Sequence, residues 1–282
     1  MQLSKALIRE HRREIVVGIL LFAASLPTIL WMWDRWFADN SYYSHGILVP
    51  MVSLFLIYKK KETLKKIPAE PSPWGFRLFV LGIMLYWASA LLHVYFTSAF
   101  SMLILTSGLV LHFYGNKTFR EIRFPLFFLV FMVPLPLIVV ALICFKLKII
   151  AAHLATLILN IIGFHAIQQS SIIKLPHSYV LVEDSCGGLR SLISLTALGC
   201  IFAYRLHLRL SMKLLLFLTA VPIAVITNGC RIVFLSVVGE IWGTQYTQGF
   251  IHDLSGYLVF VFAFLLLFGA KKLMTKGPDG QS

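Results

Sequence analysis

The sequence predicts an all-α polytopic membrane protein with about eight transmembrane helices, an interfacial helix and a short extracytoplasmic β-like segment. Two observations support this fold class. Of the 282 residues, 59% are hydrophobic and only 13% are charged, and the apolar residues form several runs of about 18 or more, which is the length that crosses a bilayer. The basic residues gather in short loops between these runs, a pattern typical of oriented membrane helices.

Eight apolar segments are predicted to be spans, although the second is short for a full crossing. They cover residues 15–33, 44–58, 74–94, 97–114, 124–145, 186–204, 214–237 and 250–270. The first run is long and lacks a small-residue cleavage pattern, so we interpret it as a retained span rather than a signal peptide. No linker is long enough to divide the chain, and residues 1–282 are expected to form one integral-membrane domain.

Two further segments differ from the spans. Residues 146–165 are apolar but include Lys146 and Lys148, a histidine and an asparagine, which favours a helix lying at the membrane interface. Residues 167–183 alternate and contain β-branched residues, as in a short hairpin outside the membrane. Together these segments predict an extracytoplasmic or interfacial insert over residues 146–185.

The distribution of Lys and Arg orients the predicted spans. With eight spans, both termini share one side of the membrane, and that side receives 19 of the 25 basic residues. Because positively charged loops stay in the cytoplasm, residues 1–14 and 271–282 are expected to be cytoplasmic. The protein itself is expected to lie in the inner membrane, with the active site at its extracytoplasmic face. The net charge of +13 is therefore explained by topology, and no nucleic-acid partner is expected.

The four cysteines predict neither a metal site nor a disulfide framework. They show no CxxC or CxxxC spacing. Three of them, Cys144, Cys200 and Cys230, lie inside apolar segments, where a cysteine usually serves as a small buried hydrophobe. We expect no metal and no cofactor.

Three reactive side chains are predicted to lie near the extracytoplasmic face. Cys186 begins the sixth predicted span, Arg231 falls in the outer half of the seventh, and His252 begins the eighth. An arginine in or beside hydrocarbon costs about 2.5–3.5 kcal/mol on insertion scales and indicates a functional site. A thiolate attacks carbonyls, a histidine exchanges protons, and a fixed guanidinium stabilises an oxyanion, so the three types suit thiol chemistry on a carbonyl.

Four neighbouring residues are auxiliary candidates. Asn228 lies one turn before Arg231 on the same helix face, where it could orient the guanidinium or bind a substrate carbonyl. Glu183 precedes the cysteine and is a candidate for positioning the site or recognising substrate, although its charge opposes thiolate formation. Ser44 and His45 begin the second predicted span, where lining a substrate path and packing are equally supported.

Five blocks of sequence resemble the exosortase/archaeosortase family of membrane-embedded cysteine transpeptidases. They are YSHGILVPMVSLFLIYKK (43–60), FPLFFLVFMVPLP (124–136), VEDSCGGLRSL (182–192), TNGCRIV (227–233) and HDLSG (252–256). The family usually has Cys-Ser-Gly at the nucleophile, whereas this chain has Cys186-Gly187-Gly188.

The resemblance implies a function and roles for the three residues. Cys186 would be the nucleophile, Arg231 the stabiliser of the transition state or thiolate, and His252 the general acid and base. The family cleaves C-terminal sorting signals of exported proteins, which consist of a short motif such as Pro-Glu-Pro, a transmembrane helix and a basic cluster. Cleavage would pass through a thioester to an acceptor nucleophile. The expected partners are that tail helix and the lipid bilayer, with a link to exopolysaccharide production.

Two other functions compete with this interpretation. In a transporter or channel, Arg231 and His252 would line a pathway. A transporter, however, usually has repeat symmetry and polar groups near the midplane, whereas the predicted polar groups gather at one face. A non-catalytic assembly factor for polysaccharide export is the third possibility.

Overall fold

The computed structural model describes residues 12–39, 41–183, 187–206, 208–247 and 249–276, and it divides into two compact units, Met1–Leu135 and Pro136–Ser282. The described chain is mostly helical, with one small sheet. In the first unit the helices are α1 (Arg12–Phe37), α2 (Leu48–Lys59), α3 (Lys61–Lys65), α4 (Pro73–Leu91), α5 (Tyr95–Phe128) and the 3-10 helix Leu129–Met132. In the second unit they are α6 (Leu137–Ile161), α7 (Leu189–Arg205), α8 (Leu210–Trp242), the 3-10 helix Thr244–Thr247 and α9 (Phe250–Lys276).

Six helical segments of the described chain are long and apolar enough to cross a membrane, rather than the predicted eight. They are Glu14–Phe37, Pro73–Leu91, Tyr95–Met132, Leu137–Ile161, Leu210–Trp242 and Phe250–Thr275. The second predicted span contains only the 12-residue α2, and the sixth contains the 17-residue α7. At 1.5 Å per residue these helices measure roughly 18 and 26 Å, less than the hydrocarbon thickness of about 30 Å.

Close packing of α4 on α5 depends on small residues. A Cβ at Gly75 would overlap the backbone of His112, and a Cβ at Gly108 would lie 2.6 Å from the backbone nitrogen of Phe79. Such glycines let two membrane helices approach backbone to backbone. The helix α5 then kinks at Gly115, whose φ of +79° is left-handed and whose missing Cβ leaves room for the Glu70 carbonyl.

A proline inside α5 has its lost hydrogen bond replaced by a lysine. Pro125 has no N–H to donate to the carbonyl four residues earlier, that of Glu121. The Nζ of Lys60 donates to this carbonyl at 2.9 Å, and the hydroxyl of Ser53 donates to the carbonyl of Pro125 at 2.8 Å. The backbone groups at the proline are therefore satisfied by α2 and the residue that follows it, as membrane helices require.

The predicted span over residues 124–145 is wrong. The helical structure is interrupted between Met132 and Leu137, where the backbone is extended, because Pro134 and Pro136 cannot continue a helix. The prediction of a separate interfacial helix over residues 146–165 is also wrong, because residues 146–161 continue the helix that begins at Leu137.

Two of the polar residues that suggested an interfacial helix instead attach α6 to the sheet. The side chain of Asn160 makes two hydrogen bonds to the backbone of Ala166, at 2.6 and 3.0 Å. His153 Nδ1 lies 3.2 Å from Gln168 Oε1, a contact between α6 and the first strand. These residues therefore serve the helix–sheet contact.

The predicted hairpin over residues 167–183 is confirmed and is extended by one strand. The strands β1 (Ile167–Gln169), β2 (Ile172–Lys174) and β3 (Tyr179–Leu181) form an antiparallel sheet in the order β1-β2-β3, so β3 is an edge strand. One hydrophobic core joins the sheet to α6 and α8; it includes Ala152, Ala155, Leu159, Ile173, Val182 and Ile232. A second core joins α7, α8 and α9; it includes Leu195, Leu216, Ala224, Ala263 and Leu267. The helix α8 is common to both cores.

Candidate active site

A buried arginine joins α8 to the first turn of α9. The side chain of Arg231 is only 9% exposed. Its Nε donates to Ser255 Oγ at 3.0 Å, and its Nη2 donates to the carbonyl of His252 at 2.8 Å. A Cβ at Gly256 would lie 3.2 Å from Nη2, so the glycine leaves the space that the guanidinium needs. Two hydrogen bonds from a planar group fix its orientation, which a lysine ammonium could not reproduce.

The imidazole of His252 lies against the guanidinium. Its Nε2 is 3.3 Å from Arg231 Nη2, and its Nδ1 is 3.4 Å from Asp253 Oδ1. A guanidinium can only donate, so in a hydrogen bond with Arg231 the Nε2 atom is the acceptor. The side chain of His252 is 25% exposed. It is therefore held on one side by a cation and remains accessible on another.

The segment that follows Cys186 packs against α8. Gly188 precedes α7 with a left-handed φ of +80°, and a Cβ there would lie 2.9 Å from Asn228 Cγ. Asn228 is buried one helical turn before Arg231. Glycine is required at position 188 for both its conformation and its contact with Asn228. Cys186 itself lies outside the described residues, together with Asp184 and Ser185.

An open groove of about 610 Å³ extends from the histidine. One wall is formed by the consecutive residues 179–183, which are β3 and the two residues after it. The opposite wall is formed by the 3-10 helix Thr244–Thr247 and by Gly249 and His252, and Ile232 and Leu235 of α8 also line the groove. Glu183 is exposed and shares this groove with His252.

The predicted residues divide between the two units. Arg231, His252 and Asn228 lie together in the second unit. Ser44 and His45 lie in the first unit, in the turn before α2. The ring of His45 stacks on that of Tyr43 with centroids 6.1 Å apart. A role for Ser44 and His45 on a substrate path stays a prediction.

Sequence reasoning missed the hydroxyl that anchors the arginine. Ser255 is buried, accepts from Arg231 Nε, and donates to the carbonyl of His252 at 2.7 Å. Its spacing of three residues from His252 in the block HDLSG was the available signal, since that spacing places both on one helix face. Within the described residues, no three His, Cys, Asp or Glu side chains come together as a metal site.

Comparison with known proteins identifies one family. The family model of the transmembrane exosortases (Exosortase_EpsH) matches residues 31–269, which is most of the chain and includes Arg231 and His252. No curated protein and no solved structure matches.

Proposed function

The chain belongs to the transmembrane exosortase family, and from that membership we propose that it is a cysteine transpeptidase with Cys186, Arg231 and His252 as its catalytic residues. It cleaves the C-terminal sorting signals of exported proteins and passes the cleaved protein to an acceptor nucleophile.

The observation that carries this proposal is the Arg231–His252–Ser255 arrangement at the end of the groove. A buried cation fixed by hydrogen bonds is suited to an oxyanion, because its charge acts in a low dielectric and needs no reorganisation during the reaction. The adjacent imidazole has one nitrogen near a carboxylate and the other near the cation. A general acid and base needs such an orientation.

The assignment of Cys186 as nucleophile is supported by its described chain neighbours. Only Gly187 separates Cys186 from Gly188, so covalent geometry keeps the two Cα atoms within about 7 Å of one another. Gly188 contacts Asn228, which is one turn from Arg231. On the other side, Glu183 lines the same groove as His252. The residues that flank Cys186 on both sides therefore lie at the proposed site.

The reaction follows from these roles. His252 first takes the proton of the Cys186 thiol. The resulting thiolate attacks the scissile carbonyl carbon, and the oxyanion that forms is stabilised by Arg231. The C–N bond then breaks, His252 donates a proton to the leaving amine, and a thioester remains on Cys186. The acceptor nucleophile attacks the thioester, His252 takes its proton, and the thiolate is released.

We further propose that this site faces the extracytoplasmic side. Support comes from the basic residues of the second unit: Arg205, Arg209 and Lys213 flank the start of α8 and Lys271, Lys272 and Lys276 end α9, whereas Arg231 and His252 lie towards the opposite ends of these two helices. A tail helix in the membrane could then present the short motif outside its span to the groove. A role in exopolysaccharide production follows from the family resemblance.

Substitution of the nucleophile tests the proposal. The assay uses a reporter protein fused to a C-terminal tail from the same organism that consists of a short motif, an apolar helix and a basic cluster. Cys186→Ala should abolish cleavage of this reporter in membranes. Cys230→Ala, which changes an exposed cysteine of α8, is the matched control and should leave cleavage intact. Normal cleavage by Cys186→Ala would refute the proposed function.

A further inference from the structure

We propose that the outer edge of β3 is the docking site for the substrate peptide, which adds to the sheet as a fourth strand. The occupant is the extended segment that precedes the membrane helix of the substrate. This inference rests on the proposed function, because it identifies how the groove at His252 holds the polypeptide to be cleaved.

The hydrogen-bond register of the sheet leaves one edge of β3 available. Leu175 N–H donates to the Ser178 carbonyl at 2.9 Å, and Val182 N–H donates to the Ser171 carbonyl at 2.8 Å. In an antiparallel pair, the main-chain N–H and C=O groups of every second residue point to the partner strand. Those of Ser178, Val180 and Val182 therefore point to β2. The N–H and C=O groups of Tyr179 and Leu181 therefore point away from the sheet.

These outward groups border the groove. Within the part of the chain that the structure describes, no group hydrogen-bonds the outward N–H or C=O of Tyr179 or Leu181. Their side chains are 65% and 50% exposed, whereas Val182 is 1% exposed. All the consecutive residues 179–183 line the groove. A cavity that touched one face of the strand would contact every second residue, so the groove borders the strand edge.

The walls of the groove are fixed by α8. A Cβ at Gly239 would lie 2.9 Å from Thr247 of the opposite wall and 3.9 Å from Val180 of β3. The carboxylate of Glu240 accepts hydrogen bonds from the backbone N–H of His177 at 3.1 Å and from the hydroxyl of Ser178 at 2.6 Å. These contacts hold the turn between β2 and β3 on α8. The edge is therefore preorganised at a fixed distance from the 3-10 helix Thr244–Thr247.

An extended peptide is the ligand that this groove fits. Rows of main-chain donors and acceptors on a strand edge are satisfied by another strand, which gains affinity from main-chain hydrogen bonds and selectivity from alternate side chains. The groove continues from β3 to Glu183 and His252. A peptide paired with Tyr179 and Leu181 would thus be directed to the reactive side chains. A helix could not form these hydrogen bonds, because its main-chain groups are already paired within the helix.

Cross-linking tests the docking register. The enzyme carries Cys186→Ala and lacks its other cysteines, so that the reporter binds without being cleaved, and one cysteine is placed in β3 by Tyr179→Cys. Single cysteines are then scanned along the segment that precedes the reporter's membrane helix, with copper phenanthroline as oxidant. We expect disulfides at every second position. The matched control is Lys174→Cys, an exposed site on β2 away from this edge, which should give at least fivefold less product. Equal yields from both enzymes, or yields without alternation, would overturn the proposal.

A proline substitution tests the same edge by activity. Leu181→Pro removes an outward N–H and leaves the bonds between β2 and β3 in place, since an edge strand tolerates proline on its free side. Loss of that hydrogen bond should slow reporter cleavage about tenfold. Cleavage at the wild-type rate would overturn the proposal. An unfolding temperature in detergent equal to that of the wild type shows that this variant is folded. If the proposed function itself were wrong, the Cys186→Ala enzyme would still cleave the reporter. That result distinguishes an error in the function from an error in the docking site.

Discussion

The two units use buried polar groups for different purposes. In the first unit they satisfy backbone or one another across helices: Trp36 Nε1 donates to the Met132 carbonyl at 2.8 Å, and Ser53 to the Pro125 carbonyl. In the second unit several of them meet at one charged group: Arg231 is held by Ser255 and by the carbonyl of His252, and His252 lines an open groove. The comparison teaches that buried polarity in a membrane helix is not itself a functional signal. Convergence on a buried charge whose partner residue lines a cavity is such a signal.

The largest expected effect is on the proton-transfer group. His252→Ala should lower reporter cleavage by about 10²- to 10⁴-fold, because a positioned general acid and base contributes that much. Quantitative immunoblotting of cleaved reporter in membranes measures it. His93→Ala, at an exposed histidine of the first unit, is the control and should cleave normally. If His252→Ala and His93→Ala cleaved the reporter at similar rates, the proposed catalytic role of His252 would be contradicted.

Replacement of the guanidinium by an ammonium should have the next largest effect. Arg231→Lys keeps the charge but cannot bridge Ser255 and the His252 carbonyl together. Loss of an oxyanion donor typically lowers kcat by about 10²- to 10³-fold. The same reporter assay is used, with Arg205→Lys at the end of α7 as control. Full activity in Arg231→Lys would mean that the orientation of the group is unimportant.

The glycine that contacts Asn228 should show an intermediate effect. Gly188→Ala introduces a Cβ at a left-handed φ and 2.9 Å from Asn228 Cγ. We expect at least a tenfold loss of cleavage per folded molecule, with thermal unfolding in detergent as the measure of folding. Gly163→Ala is matched, because its φ is +93° and its Cβ would meet open space. The backbone strain of about 1–2 kcal/mol is similar in both, so an equal loss of cleavage would exclude a role for the contact.

The smallest effect on activity is expected in the first unit. Ser53→Ala removes the donor to the Pro125 carbonyl and should destabilise the protein by about 1–3 kcal/mol. Cleavage per folded molecule should stay at the wild-type level. A lower unfolding temperature with normal cleavage supports the comparison, whereas a large loss of cleavage at normal stability would contradict it.

The sequence predicted the common location of Arg231 and His252 better than it predicted the helix boundaries. Blocks around Asn228, Arg231 and His252 identified residues that the structure brings together on α8 and α9. Hydropathy did not detect the break at Pro134 and Pro136, because both prolines are flanked by apolar residues. A hydropathy average over a window of residues therefore joined the end of α5 and the first part of α6 into one predicted span. It assigned the rest of α6, from Lys146 onwards, to a separate helix.

Other features depend on contacts that no local pattern contains. The kink at Gly115 is fixed by the carbonyl of Glu70, which is 45 residues away in the chain. The groove requires β3 and the 3-10 helix Thr244–Thr247 to pack on the same end of α8 around Gly239. The alternation over residues 167–183 indicated strands, but it did not indicate which edge would border the histidine.

The reactivity of Cys186 towards a small electrophile tests the central claim most directly, because no substrate is needed. The rate of carbamidomethylation at Cys186 is measured by mass spectrometry at pH 7 in the wild type, in Arg231→Gln and in Ser53→Ala. If the cysteine lies beside the guanidinium, the cation favours the thiolate, and Arg231→Gln should slow labelling about tenfold while Ser53→Ala leaves it unchanged. An identical labelling rate in the wild type and Arg231→Gln would contradict the proposed catalytic site.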